Sequence, residues 1–256
     1  MRAERERRLA LQHTLYASAN PTRRYLHCSR RDWVMGQIEK LGPVALALEV
    51  GPGSGVYLPT LCGRADCVIA VDVEPVFLEA LATPEVAAYG AAKLFRVQAD
   101  VRASPLREQC VDLLLCSEVI EHVADSPLLL RALADTLAPG GFLLLTTPQP
   151  YSPVEVLGKV AFLPGIRQLV QLIYREPIEP TGHINLLGRH ALEAQLAQAG
   201  FEVLERECLG LYLPVIAEFG GDAGRRLLQW LEGYLRATPL RCFLWTQCYL
   251  LRLRCG

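Results

Sequence analysis

A doubly wound α/β sheet of seven strands is predicted by three features of this 256-residue sequence. Short apolar runs of strand type alternate with helical patterns, as in a parallel sheet covered on both faces. A glycine-rich turn, Gly51-Pro52-Gly53-Ser54-Gly55, follows the first run. Carboxylates stand at the ends of the first three runs, at Glu49, Asp72 and Asp100.

The elements follow in order. Residues 30–41 read as a helix with Trp33, Val34, Ile38 and Leu41 along one side, stopped by Gly42-Pro43. The run 45–50 is a buried first strand that empties into the glycine turn. Runs 67–73, 93–98 and 111–116 supply the second, third and fourth strands. A helix over 127–137 ends at Pro139-Gly140-Gly141, and 142–147 is the fifth strand. The rhythm breaks over 148–182, which is rich in proline and apolar clusters. A helix over 191–199 then stops at Gly200, 201–209 is strand-like, 222–236 is helical and 242–254 is strand-like again. The expected divisions are an N-terminal helical cap (1–40), a sheet core (41–148), a helical lid insertion (149–182) and the remainder of the same sheet (183–256).

Composition narrows the function classes. With 26 basic and 27 acidic residues, no global field draws nucleic acid to the chain. One local excess exists: eight arginines lie between Met1 and Arg31 against Glu4 and Glu6. Such an arm could touch phosphates or an anionic membrane surface, but the plainer reading is a solvated, frayed terminus. Nine cysteines without a CxxC pair or zinc spacing suggest a reduced, cytoplasmic setting. No secretory pattern opens the sequence. No run approaches the roughly 18 apolar residues that span a bilayer.

The glycine turn is G-x-G-x-G, not the G-x-G-x-x-G of a dinucleotide site. Glycines here let the backbone pass close to a ligand. An acid two residues earlier, Glu49, suits a ligand bearing an ammonium group better than one bearing two phosphates. Asp72 closes the second strand, where a carboxylate can accept from both hydroxyls of a ribose. Asp100 closes the third, where an acid can meet an adenine amino group. The alternative readings are a strand-end salt bridge for Glu49 and helix caps for the two aspartates.

The segments LEVGPGSG (48–55), AVDVEP (70–75), ADVRASPL (99–106), DLLLCSEVIEHV (112–123), LAPGGFLLLTTP (137–148) and GHINLLGRHALEAQLAQAGFEV (182–203) resemble the successive motifs of class I S-adenosylmethionine (SAM)-dependent methyltransferases. The stretch 118–122 is also similar to ubiquinone-biosynthesis O-methyltransferases. The resemblance spans about two thirds of the chain and implies a Rossmann-like sheet, mostly parallel, with an antiparallel last strand. It implies that Glu49, Gly51, Gly53 and Gly55 surround the methionine part of SAM. Asp72 and Val73 would lie at the ribose, Asp100 and Val101 at the adenine, and Ser117, Glu118 and Val119 under the sulfonium. Pro52 departs from the small residue common at its position.

Methyl transfer from a sulfonium is an in-line displacement that relies on alignment. A hydroxyl acceptor also needs help in losing its proton. His122 and His183 are the candidate bases, each with structural capping as its plainer reading. Glu118, Glu121, His122 and His183 together resemble the metal set of small-RNA 2′-O-methyltransferases, so a divalent ion such as magnesium is an alternative expectation. The apolar insertion implies a small, partly hydrophobic acceptor taken on oxygen. It also leaves open peripheral membrane contact, and residues 20–31 are expected to fold over the cofactor. RNA or protein methylation, or SAM binding without turnover, are the competing classes. The oligomeric state is not indicated.

Overall fold

The computed structural model describes residues 14–81, 94–103, 106–161 and 182–254. It opens with helix α1 (Pro21–Leu41), whose first turn is capped by the Asn20 side chain accepting from the Thr22 and Arg23 amides. The helix starts nine residues before the apolar periodicity does, because cap chemistry and not an apolar stripe sets its beginning. Gly42, at φ 80°, ends it. Strand β1 (Val44–Val50) follows, then α2 (Leu58–Arg64), β2 (Ala65–Asp72), α3 (Pro75–Ala80) and β3 (Leu94–Gln98). Next come β4 (Val111–Ser117), α4 (Ser126–Thr136) and β5 (Leu137–Pro148). Helices α5 (Pro153–Ala161) and α6 (Arg189–Gln198) lead to β6 (Phe201–Leu209). Helices α7 (Pro214–Phe219) and α8 (Gly221–Arg236) and a 3-10 turn (Pro239–Phe243) precede β7 (Thr246–Leu253).

The seven strands form one sheet in the order β3-β2-β1-β4-β5-β7-β6. All neighbours are parallel except that β7 runs antiparallel to both β5 and β6. The predicted seven-stranded α/β sheet and its reversed last strand are therefore present.

Two expectations are corrected. The Pro139-Gly140-Gly141 run does not lie in a loop between a helix and the fifth strand. Helix α4 ends at Thr136 and β5 continues through the run. Val111 pairs with Leu137 and Leu113 with Phe142, so the run bulges out between two paired stretches. Glycine is needed there: a Cβ on Gly141 would lie 2.9 Å from the Ala138 carbonyl oxygen and 3.0 Å from that of Val111. The last strand is also shorter than 242–254, because Pro239 opens a 3-10 turn in which the Leu240 amide donates to the Thr238 hydroxyl.

Side-chain alternation divides the core. Leu114, Cys116, Leu143, Leu145 and Leu251 face α4 and α6, through Leu129, Leu130, Leu133, Leu192 and Leu196. Leu113, Leu115, Leu144 and Leu250 face α1 and α2, through Val34, Ile38, Leu58 and Leu61. A third cluster joins Leu26 of α1 to Leu228 of α8, Leu244 and Trp245.

Candidate active site

The chain passes outward from β1 to β3 and then returns to lay β4 against the other side of β1. Such a reversal opens a crevice beyond the carboxyl ends of β1 and β4, where ligands of open α/β sheets bind. Both loops bordering it meet. Gly51, Gly53 and Gly55 have φ of 67°, 54° and 73°, which only glycine adopts freely. The Gly51 amide donates to the Val71 carbonyl at 2.9 Å, tying the turn to β2. A Cβ on Gly51 would lie 2.6 Å from Cγ2 of Val119, in the loop after β4. Pro52 is accommodated because its carbonyl, not an amide, makes the turn's bond, accepting from Gly55 at 2.8 Å.

Glu49, the next-to-last residue of β1, is 2 % exposed, and its Oε2 has no hydrogen-bond partner among the described residues. Burial pushes its carboxyl up to about 8. Among the described residues Glu49 makes no strand-end salt bridge. A buried carboxyl with no counter-charge can receive a cationic group. Asp72 ends β2, and its Oδ1 accepts from the Glu74 amide at 2.8 Å. Burial raises it to about 6, against the opposing pull of that amide. Val73 beside it is exposed.

Asp100 lies two residues past β3 and is differently engaged. Both its oxygens accept from the Arg102 guanidinium, at 2.6 to 3.1 Å, and Oδ1 also accepts the Arg102 amide at 2.9 Å. These hydrogen bonds hold its pKa below the usual carboxylate range. The expected adenine acceptor is therefore occupied by a neighbouring arginine, in a turn where Val101 is buried.

At the end of β4, Ser117 Oγ lies 2.8 Å from Thr146 Oγ1, which in turn donates to Glu118 Oε1 at 3.1 Å. Glu118 has φ 57°, a backbone state uncommon for a side chain of its size. Its amide donates to the Thr146 carbonyl at 2.9 Å and its Oε2 is 2.8 Å from the Arg30 guanidinium. Arg30 is itself buried and stacks over Trp245 at 5.3 Å. Burial acts to lower its pKa, but Glu118 prevails and raises it. Glu118 is thereby held away from the expected metal set.

The other three members of that set converge. Glu121 is buried; its Oε2 accepts from Thr147 at 2.9 Å and its Oε1 has no partner among the described residues. Burial, then the nearby Glu118, raises its pKa. Its carbonyl accepts the amides of Ile184 and Asn185 at 2.9 and 3.0 Å, stitching the segment before α6 to the exit of β4. His122 Nδ1 lies 3.2 Å from the Gly182 carbonyl and His183 Nδ1 3.0 Å from Glu155 Oε2. A carbonyl and a carboxylate both accept, so each Nδ1 is the donor of its pair. The rings are 5.2 Å apart, and one donor atom each from Glu121, His122 and His183 lies within 4.8 Å of the others. Burial, then His183, lowers the pKa of His122.

A family model described as a methyltransferase domain matches residues 20–206, most of the chain. The chain belongs to the class I SAM-dependent methyltransferases. It is 30% identical over 118 residues to a ubiquinone biosynthesis O-methyltransferase of Xanthomonas axonopodis pv. citri (strain 306), covering 46% of this chain and 48% of that one. It is 27% identical over 192 residues to a biotin biosynthesis bifunctional protein of Cellvibrio japonicus (strain Ueda107), covering 74% of this chain and 33% of that one. The chain thus spans about half the length of the first relative. An N-methyltransferase, NodS, from Bradyrhizobium japonicum WM9, in complex with S-adenosylhomocysteine, shares the fold at a TM-score of 0.61 and 16% identity, with 98% of this chain and 97% of that one aligned.

Sequence reasoning missed four residues of this methyltransferase: Arg30, Tyr57, Thr146 and Glu155. Tyr57 is buried with its hydroxyl 3.4 Å from Ser117 Oγ. Glu155 is buried on α5 and fixes His183. Only Arg30 carried a signal, as an arginine on the face of α1 that also bears Leu26 and Val34. The N-terminal arginines are not a free basic arm where the structure describes them. Arg23 pairs with Glu218, Arg24 donates to the Ser18 carbonyl, and Arg31 pairs with Asp32. Arg2, Arg5, Arg7 and Arg8 lie outside the described residues, as do residues 162–181 of the expected lid insertion (149–182). Among the described residues no helix is long and apolar enough to cross a membrane.

Proposed function

We propose that this chain transfers a methyl group from SAM to an oxygen of a small, partly hydrophobic acceptor. The observation that carries the reading is the buried, unpartnered carboxyl of Glu49 beneath three positive-φ glycines. SAM has a complementary ammonium group, and its sulfonium supplies the activated methyl. Glu49 and the turn 51–55 would hold the amino-acid end, and Asp72 with Val73 the ribose. Val101 would pack near the adenine, with Asp100 available only if Arg102 yields. Ser117 and Val119 would line the floor, while Glu118 orders it through Arg30.

The acceptor side rests on Glu155 and His183. The buried Glu155 holds the His183 ring through Nδ1, and His183 Nε2 would take the proton of an acceptor hydroxyl. Val156 and Leu157, the next two residues of α5, are exposed apolar side chains that a partly hydrophobic molecule could cover. The O-methyltransferase named among the relatives supports the choice of oxygen.

A second reading is favoured by the convergence of Glu121, His122 and His183. A divalent cation such as magnesium held there would supply Lewis acidity toward the acceptor oxygen.

Calorimetry with S-adenosylhomocysteine tests the cofactor reading: binding weakened at least tenfold by Asp72→Ala supports it, and no binding by the parent chain rejects it. Transfer of labelled methyl from SAM to a panel of phenolic and amine acceptors tests the rest. Activity on amines alone rejects the choice of oxygen, and activity indifferent to chelator rejects the metal.

A further inference from the structure

The outer face of α7 and α8 points to a lipid surface, and we infer that it docks the protein on an anionic bilayer. This goes beyond methyl transfer and requires no turnover. Leu227, Trp230 and Tyr234 stand at spacings of three and four along α8, one stripe of the helix. Trp230 and Tyr234 are each 70 % exposed, and on α7 Phe219 is 73 % and Val215 74 % exposed. Large aromatics are seldom left this open on a soluble protein without a partner surface.

The opposite side of these helices is locked, so the exposure is not a loose packing of α8. Buried Glu232 accepts from the Tyr25 hydroxyl and the Leu211 amide and pairs with Arg236. Glu218 accepts from Arg23, Asn20 and Tyr212. Two of the three acids between Pro214 and Phe243 are thus turned inward, and the third, Asp222, is paired with Arg225. Arg226 stands exposed on the aromatic side, with no ion-pair partner among the described residues. An apolar aromatic stripe with an unpaired outward arginine, and with two of its three neighbouring acids turned inward, complements an anionic headgroup layer. Tryptophan and tyrosine are the side chains that settle at such an interface.

Area argues against a second copy of the chain as the occupant. The three aromatics, about 150–250 Å² each and seven-tenths open, offer on the order of 300–500 Å², and with Val215 and Leu227 the stripe still stays below the roughly 800 Å² per partner of a stable interface. The turn that follows α8 is anchored to the sheet: Gln149, just past β5, donates to the carbonyls of Arg241 and Leu244 at 3.0 and 2.8 Å.

Vesicle flotation with the full chain tests this without substrate. Vesicles of phosphatidylglycerol and phosphatidylcholine should carry the protein at least tenfold better than phosphatidylcholine alone, and high salt should reverse the binding. Trp230→Ala/Tyr234→Ala and, separately, Arg226→Glu should lower the floated fraction several-fold, with S-adenosylhomocysteine binding and melting temperature unchanged. The inference is overturned by any of three results: no flotation of the parent chain, equal flotation on neutral vesicles, or a concentration-dependent dimer that the double variant abolishes.

Discussion

Arg30, in the middle of α1, reaches across to the end of β4 and holds the Glu118 carboxylate at 2.8 Å. Both side chains are largely shielded, so the pair lies where loss of one partner strands the other. Arg30→Met is expected to destabilise the fold by about 3–5 kcal/mol, the usual penalty for halving a buried pair. Arg30→Met/Glu118→Gln should recover part of this, read from denaturant midpoints at constant slope. Additive losses would show that the two residues act independently.

Glu49 predicts a pH signature. Its folded pKa is about 8 against an ordinary 4.5. The fold therefore binds its proton more tightly than the unfolded chain does. Its contribution to stability is complete below about pH 4.5 and is lost as pH rises toward 8. Glu49→Gln should leave the melting temperature unchanged near pH 4.5 and raise it at pH 8, by about 2–4 °C for each kcal/mol involved. Binding of S-adenosylhomocysteine should release a proton at pH 7, seen as a dependence of calorimetric enthalpy on buffer ionisation. Glu49→Gln should remove that release and weaken binding about tenfold or more, the worth of a charge-assisted hydrogen bond. Unchanged affinity would count against an ammonium contact.

Gly51→Ala places a Cβ 2.6 Å from Val119 Cγ2 at a φ of 67°. A stability loss of about 1–3 kcal/mol is expected from the backbone state alone, with S-adenosylhomocysteine binding lost as the two loops part. Gly51→Ala/Val119→Ala should relieve the collision and not the backbone strain, so thermal melting should recover only partly. Full recovery would mean that the positive φ carries no penalty.

His183→Ala should lower kcat about 10²–10⁴-fold, the range of a lost general base, with little change in cofactor affinity. Glu155→Gln keeps the shape but removes the charge that fixes the ring, and a smaller fall in kcat is expected. If the metal reading is right, chelator and His122→Ala should reproduce the His183→Ala loss in kcat assays. Insensitivity to both would leave Glu155–His183 as the proton acceptor.

The fold was legible wherever a local signal sufficed. Continuous runs such as 111–116 announced buried parallel strands, and the glycine turn lay at the switch point where the sheet reverses. Boundaries failed where the deciding interaction came from elsewhere. The Pro139-Gly140-Gly141 run has the composition of a loop, yet pairing of β4 with residues on both sides of it makes a bulge. The site was half legible. Glu49 and Asp72 were singled out because strand ends and glycine spacing mark them, and Glu121, His122 and His183 through the family resemblance. Arg30 and Glu155 were not, since each meets its partner across a long stretch of chain. Asp100 was placed correctly near a strand end, but Arg102, two residues on, takes its oxygens.

Strand β7 has one more consequence, for biosynthesis. It lies between β5 and β6, and among the described residues β6 has no other neighbour in the sheet. On the ribosome, β5 and β6 emerge with bare backbone edges that nothing earlier in the chain can cover. Until residues 246–253 clear the exit tunnel, the nascent protein carries two open templates for aggregation. Shortening the chain before Thr246 makes that transient hazard permanent.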